Sequence, residues 1–573
     1  MIVGTACGQD SVPTPTPTPL VDNGVQNVQP EDLNGVPAIA PDYRSEDRTL
    51  PDLGRVGVEM TDQHPLTLQE AITLALENSS DIQVTRKQVQ VAEYDLQAAL
   101  GAYQPRLTGE TYFERASLPN LSFFTPDISK TTTNSFVGNA GIQAYLPKFG
   151  TIFDGRFTNQ RATADNPITI FSPQYNSGLE FTVTQPLFRG RGFDQKRRVI
   201  EVAKKNVSLT DMQFRQESID IINKTQRAYW DLTYALRDLQ VQRDGTRDAK
   251  DQLEHNRRLV EEGQLAPIDV VAAETQVANF EQAVYDALNA VTVAENNLKN
   301  VISSNRNDKI WSQAITPVES VEANVPDVTL SESLTTALEN RPELDINEAR
   351  KDINEIDQKY YRDQTKPKID LVASYRSSGV GGSVNPNFSN PLLRNCVDDP
   401  TLPECVAAAQ AQEQLVRNVG SGSTAYSDIF ANKYPTYRVG VQFDLPLFGD
   451  KTAKAQLGSS RVQGEILKTQ RGQIEQNIQV EVRNALQFLR TSQARLRAAS
   501  LARENSAKQY ESEQRKLDAG QSDIYKVLER QTALTAARSN ELRAQTELNK
   551  AIGDLQRATG NSLKANNIET TVK

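Results

Sequence analysis

The chain has 573 residues, among them 2 His and 3 Cys, and carries a net charge of -10 at pH 7; its mean hydropathy is -0.54. So few histidines and cysteines leave little for a metal centre or a Cys–His catalytic pair, and the acidic balance argues against nucleic acid as a partner. No run of 18 apolar residues occurs, so no membrane-spanning helix is predicted. We therefore expect no enzymatic activity, no cofactor and no bound metal.

We predict that residues 1–62 are the remnant of a signal followed by a disordered tether. The alternation SVPTPTPTP is typical of an extended, solvated chain. Gly4-Thr5-Ala6-Cys7 is typical of the end of a bacterial lipoprotein signal, in which Cys7 takes the lipid, but the charged and apolar regions of such a signal do not precede it. The alternative is an unpaired cysteine in a loose tail.

From residue 63 onward, nearly every feature of the chain occurs twice. LTLQEAITLALEN, which begins at Leu66, returns as VTLSESLTTALEN from Val328, an offset of 262 residues. Later features recur at offsets that drift by only five residues: Pro105 and Pro367, Pro186-Leu187-Phe188 and Pro446-Leu447-Phe448, Gly263 and Gly520. We predict two structural repeats, residues 63–320 and 321–562, and a disordered tail at 563–573.

Each repeat opens with a short capped helix and a second helix that ends before a proline. The apolar period then changes from 3.6 to 2, which predicts strands at about 106–188 and 368–448. The alternating apolar residues are Leu179, Phe181 and Val183 in the first repeat and Tyr437, Val439, Val441, Phe443, Leu445 and Leu447 in the second. Residues 107–113 and 369–375 are the predicted entering strands.

A further hairpin is predicted over residues 136–159, with its turn at Lys148-Phe149-Gly150. The sequence leaves open whether this hairpin joins the other strands in one wall. Cys396 and Cys405 lie in a long polar loop, CVDDPTLPEC, and we expect them to form a local disulfide in an oxidising compartment. The alternative is two free thiols.

Strands of about ten residues suit a tilted crossing of a lipid bilayer. The alternative is a soluble sheet with one wet face, but no amphipathic layer nearby would cover its apolar face. Four, or at most six, strands cannot close a barrel, and an open edge in lipid leaves backbone groups unpaired. Identical chains must therefore share one barrel, and three chains of four strands would make about twelve strands.

The two regions at 194–303 and 453–556 predict long antiparallel coiled-coil hairpins. The outgoing arm at 194–262 contains no proline and would reach about 100 Å as a helix. The returning arm carries a heptad seam of apolar residues at spacings of three and four. Its members are Val270, Ala273, Val277, Phe280, Val284, Ala287, Val291, Ala294, Leu298 and Val301.

In this order and repeated twice, the helix openings, the QPLF and LPLF strand ends and the two glycine turns resemble the TolC family of outer-membrane efflux and secretion ducts, over about residues 66–562. The resemblance implies a mainly α fold with a transmembrane β-barrel part, assembled as a homotrimer whose α-helical tube crosses the periplasm. It implies a passive exit duct in the outer-membrane lipid, for small molecules or proteins. The implied partners are a periplasmic adaptor protein and an inner-membrane pump of the RND or ABC type. A lipidated N-terminal cysteine is common in the family, which favours lipidation of Cys7.

The resemblance also implies two kinds of site at the helical turns. Adaptor docking at the periplasmic tip falls on Gly263, Gln264, Leu265, Ala266, Asp269, Gly520, Gln521 and Ser522. The pore constriction falls on Asp523, Lys526 and Glu529. Lys526 stands where the family often has an acid and Ser522 where it often has a base, so the closing contacts and ion preference are not carried over intact. The simpler interpretation is turn chemistry, with glycines at positive φ and acids in the first helical turn.

Two other classes of function remain as alternatives at this point. A structural or adhesive trimeric coiled-coil protein of the cell surface, with its strands in a soluble head, would be soluble without detergent. An enzyme is more distant, because His64 and His255 stand among solvated residues and Asp398-Asp399 is a weak cation signal.

Overall fold

The computed structural model describes residues 54–120, 125, 128–396, 400–447 and 449–568. Cys7 and the Pro-Thr stretch lie outside these residues. The first repeat consists of β1 (Glu59–Leu66), α1 (Leu68–Asn78), α2 (Ser80–Leu100), β2 (Arg106–Pro119), β3 (Lys130–Leu146), β4 (Thr151–Ala164), β5 (Phe171–Pro186), α3 (Gln195–Glu261) and α4 (Pro267–Ile302). The second consists of β6 (Gln313–Pro317), α5 (Leu330–Asn340), α6 (Pro342–Gln364), β7 (Lys368–Val384), α7 (Pro403–Val419), α8 (Thr424–Phe430), β8 (Tyr434–Asp444), α9 (Lys451–Asp518), α10 (Ile524–Ala558) and α11 (Ser562–Ala565).

The two repeats have helices of matching length, as the sequence predicts. The outgoing arms α3 and α9 contain 67 and 68 residues, and the returning arms α4 and α10 contain 36 and 35. The openings match as well, because Thr67 and Thr329 each cap an 11-residue helix. The predicted fold class, a mainly helical chain of two tandem repeats with long helical hairpins and a strand region, is confirmed.

The helix seam of the first hairpin is buried where α4 packs on α3. Every predicted seam residue from Ala273 to Val301 is buried, and Val270 is half-buried beside the turn. Tyr229 of α3 is fully buried in the same core, and its hydroxyl donates to the backbone carbonyl of Leu66 at 3.0 Å. A sequence pattern held over four heptads therefore fixes the contact face of the hairpin.

The main sheet contains six antiparallel strands in the order β2-β3-β4-β5-β7-β8. β1 and β6 form a separate parallel pair. The strands of the main sheet are 11 to 17 residues long, so the prediction of about ten residues was too short. The predicted hairpin at 136–159, whose place the sequence left open, is part of this sheet, and the chain has six strands in it rather than four. The apolar alternation ends before the strands do, because polar and small residues such as Thr131–Thr133 and 377–382 continue the ladder.

The sheet has one mainly apolar and one mainly polar face; Arg115 and Arg161 are charged residues on the apolar one. The apolar side chains are paired across all six strands: Leu107, Phe113, Phe136, Ile142, Phe153, Phe157, Leu179, Phe181, Leu371, Tyr375, Tyr437, Val439, Val441 and Phe443. The charged side chains that alternate with them are Arg106, Glu110, Asp154, Arg156, Glu180, Arg376, Arg438 and Asp444. Such a pattern is typical of a barrel wall between lipid and water.

Residues 59–62 and 563–568, which were predicted to be disordered, are ordered. β1 begins at Glu59, inside the predicted tether, because it pairs with β6. Just before it, Arg55 forms a 2.9 Å ion pair with the buried Glu295 of α4. At the other end, Leu563 is buried against α1 and α3, so residues 563–568 are not a disordered tail. Residues 569–573 lie outside the described chain.

Across the described helices, we find none that is both long and apolar enough to cross a membrane.

Candidate functional site

The first helical turn reverses the chain between α3 and α4. The backbone N–H of Gln264 donates to the carbonyl of Leu259 at 2.8 Å, which closes the end of α3. Gly263 has φ +74, a conformation that favours glycine. The N–H of Ala266 donates to the carboxylate of Asp269 at 3.1 Å. The sequence around Gly263 therefore encodes a tight, capped reversal.

The second turn, between α9 and α10, has the same construction. Gly520 has φ +68, and the N–H of Gln521 donates to the carbonyl of Lys516 at 2.8 Å. Asp523 caps α10 by accepting a hydrogen bond from the backbone N–H of Lys526 at 3.2 Å. Turn chemistry thus accounts for both glycines and both acids, whatever else they do.

Most of the predicted docking residues lie on the surface. Exposed are Gly263, Gln264, Ala266, Gly520 and Gln521; half-buried are Leu265, Asp269 and Ser522. The Ser522 hydroxyl donates to the carboxylate of Glu513 in α9, a bond that lowers the pKa of Glu513, and Lys516 acts in the same direction. Ser522 is therefore held against its own hairpin, with its hydroxyl occupied.

The three predicted constriction residues share the exposed side of the first turns of α10. Asp523, Lys526 and Glu529 are exposed, whereas Ile524 and Val527 between them are buried. The ammonium of Lys526 lies 3.3 Å from the Asp523 carboxylate. The hydrogen bond from the Lys526 backbone N–H, more than this ion pair, holds the pKa of Asp523 below its usual range. The structure therefore groups the three charges on one surface.

The returning helices α4 and α10 begin side by side, so the two turns lie at the same end of the molecule. The side-chain amide of Gln276 donates to the hydroxyl of Thr532 at 2.7 Å across the two helices. A groove between them is bordered by Ile268, Val271 and Tyr525, which are 62%, 52% and 59% exposed. Large apolar side chains exposed at the end of a helix bundle are typical of a protein-binding surface.

Two side-chain contacts connect the hairpins near this end, and the sequence pattern indicates neither. Arg538 of α10 lies 3.7 Å from Asp248 of α3, and His255 of α3 lies 3.3 Å from Asp518 of α9. Burial raises the pKa of Asp248, and Arg538 opposes that rise. The partners stand more than 260 residues apart, so no local pattern in the chain indicates them.

The other residues that the sequence singled out lie outside the two helical turns. Cys396 and Cys405 are joined in a disulfide. His64 is half-buried in β1, and Asp398-Asp399 lies outside the described residues. Within the described ranges, no group of three or more His, Cys, Asp or Glu side chains is placed to hold a metal ion.

Solved structures of three bacterial outer membrane proteins share this fold at low sequence identity. The CmeC outer membrane channel of Campylobacter jejuni is 14% identical, with 86% of each chain covered and a TM-score of 0.58. VceC, an outer membrane protein of Vibrio cholerae, is 12% identical, with 86% of this chain and 96% of that chain covered and a TM-score of 0.58. The open state of the MtrE outer membrane channel of Neisseria gonorrhoeae is 16% identical, with 87% and 89% covered and a TM-score of 0.56.

Sequence comparison identifies the family directly. No curated protein sequence matches the chain. The sequence model of the family described as "Outer membrane efflux protein" matches residues 144–304 and 334–561, one segment in each repeat and more than half of the chain. The match confirms the resemblance to outer-membrane efflux ducts and, with it, the predicted outer-membrane location. The chain belongs to the outer membrane efflux protein family.

Proposed function

We propose that three copies of this chain form a passive exit duct that receives small molecules or proteins from an inner-membrane pump through a periplasmic adaptor. The observation that carries the proposal is the open six-stranded sheet, apolar on one face and charged on the other, joined at one end to two helical hairpins of about 100 Å. The sheet suits the membrane, and the hairpins suit a tube through the periplasm.

Assembly follows from the edges of the sheet. Among the described strands, β2 and β8 pair on one side only. A strand edge exposed to lipid leaves N–H and C=O groups without partners, each at a cost of several kcal/mol. Pairing β8 of one copy with β2 of the next removes every such edge, and cyclic symmetry closes the ring.

The charged face of the sheet supports a water-filled lumen. Arg376 and Glu180 lie 4.0 Å apart on neighbouring strands, and Arg156 and Asp154 lie 3.9 Å apart on β4. Side chains of both signs would be costly in lipid, whereas in water they are solvated. We therefore assign to the protein the path alone, and to the pump the energy for export.

The end of the molecule that holds both turns is the part of the duct that we assign to adaptor docking and to closure. Its exposed groove at Ile268, Val271 and Tyr525 offers an apolar surface to a partner. Opening would slide α9 and α10 past α3 and α4, a shear of packed helices that breaks the ion pair between Arg538 and Asp248.

Photo-crosslinking in native envelopes tests this assignment. A photoreactive residue at Leu265 or Gln521 should capture a periplasmic adaptor anchored in the inner membrane, whereas the same residue at Glu93, exposed on α2, should not. Equal capture at all three positions, or none at the turns, would contradict docking at this end.

A further inference from the structure

We propose that the β3–β4 hairpin is part of the barrel wall in every subunit, so that the trimer closes about eighteen strands around an exit half again as wide as a twelve-stranded one. The inference rests on the proposed trimer and concerns what its barrel is made of. Three copies of a six-stranded sheet supply the strands.

Backbone pairing places the hairpin inside the sheet. β3 pairs with β2 along the full length of β2, from Arg106↔Gln143 to Pro119↔Lys130. β4 pairs with β5 from Ile152↔Thr184 to Ala162↔Gln174. A hairpin folded into the lumen or over the loops would leave β2 and β5 paired with each other, and here they are separated by two strands.

Near the helical end of the sheet, the side chains of the hairpin continue both faces of the wall. Phe153 of β4 stacks on Phe181 of β5, with ring centroids 6.0 Å apart. Gly155 of β4 is paired with Ile142 of β3 and Phe181 of β5. A Cβ added at Gly155 would lie 3.2 Å from the Ile142 side chain and 3.4 Å from the Phe181 ring. The apolar face is therefore packed as a single surface across β3, β4 and β5.

The hairpin turn lies at the helical end of the sheet, where a wall strand must turn. The amide of Gln185 donates to the carbonyl of Phe149 at 3.1 Å, and the Lys196 ammonium of α3 lies 3.2 Å from the centre of the Tyr145 ring. The turn is thus attached to the start of the first helical hairpin, at the rim where barrel and tube meet.

The direction of the strands permits closure with the hairpin present. β2 runs away from the helices and β8 returns towards them, so β8 of one copy and β2 of the next are antiparallel, like every other pair in the sheet. With a strand spacing of about 4.8 Å and a tilt of about 40°, eighteen strands give a backbone radius of about 18 Å and twelve give about 12 Å. Equivalent points on a three-fold ring then lie about 31 Å or about 21 Å apart.

Distances between spin labels on different subunits distinguish an eighteen-stranded barrel from a twelve-stranded one. Thr182 of β5 lies on the charged face, opposite Ser374 and Asp154. A label at Thr182→Cys, in a chain with Cys7→Ser and the Cys396–Cys405 disulfide intact, should show an intersubunit distance of about 31 Å in lipid nanodiscs. A distance of about 21 Å would overturn the proposal, because the hairpin would then lie outside the wall.

A deletion provides the matched comparison. Removal of residues 130–164 takes out β3 and β4 and lets β2 turn directly into β5, which runs the opposite way. The label distance at Thr182 should fall by about 10 Å, while a label at Asn505, exposed on α9, should keep its distance. If the deleted chain fails to fold, the intact chain alone still decides. If the intact chain shows no intersubunit distance at all, the proposed trimer fails instead.

Discussion

Two glycines set the geometry at the end of the duct. Gly263 and Gly520 have positive φ, and in the described structure no atom would come within 4 Å of an added Cβ. Replacing either by Ala should therefore act through the backbone alone, at a cost of about 1–2 kcal/mol. Hydrogen exchange at the turn should accelerate accordingly. Gly472→Ala is the control, since that glycine lies inside α9 with equal space and an ordinary φ, and it should protect its helix instead. Equal effects at all three positions would contradict the argument.

Two acidic side chains, Asp523 and Glu529, are exposed on the first turns of α10. If Asp523 and Glu529 line the pore, Ala at either position should change the single-channel conductance or weaken block by multivalent cations, whereas Glu93→Ala on α2 should do neither. Unchanged conductance and block in both variants would remove the two residues from the pore lining.

The pH dependence of that block follows from the hydrogen bond that Asp523 accepts. Because its pKa is lowered, Asp523 stays charged down to a pH below the usual aspartate range and loses its charge, together with its cap on α10, only as the pH falls through the lowered value. In the Glu529→Ala channel, the remaining block should therefore persist through the ordinary carboxylate range. Loss of the block at the usual aspartate pKa would contradict this.

At the scale of elements, the contact between the hairpins is expected to control opening. Burial raises the pKa of Asp248 and Arg538 opposes it, so Arg538→Ala leaves a carboxylate without its partner when it is ionised. The variant should open more readily at pH 7 and close again as the pH falls and Asp248 takes up a proton. Arg515→Ala is the control, because its partner Glu511 lies on the same helix. Channel recordings at both pH values measure the effect, and an Arg538→Ala channel that stays shut at pH 7 would rule it out.

The apolar face of the edge strand offers another matched pair. Val441→Lys places a charge on the predicted lipid face of β8 and should destabilise the inserted trimer by about 2–4 kcal/mol if it lies near the bilayer midplane. Gln442→Lys, the next residue on the other face, should be tolerated. Thermal dissociation of the trimer in lipid would show the difference, and equal behaviour of the two variants would contradict the assignment of faces.

The sequence predicts the long periodic helices well, but it does not predict which residues far apart in the chain contact each other. The four long helices begin and end within a few residues of the predicted bounds, because seams, caps and turn glycines are local signals. The strand region was predicted in place, but the sequence left open whether the hairpin at 136–159 joins the other strands, and the six-stranded sheet contains it. The strands are longer than predicted, since small and polar residues extend the ladder beyond the apolar alternation. The contact between Arg538 and Asp248 joins the two repeats, and no local sequence pattern in either repeat indicates it.

For the whole molecule, the central claim is that one copy cannot satisfy its own sheet edges, so identical copies join into a hollow conduit. Reconstitution of the purified chain in a planar lipid bilayer tests this most directly. We predict discrete conductance steps from an assembly with the mass of three chains. A protein that stays monomeric and soluble without detergent, and adds no conductance to the bilayer, would contradict the account.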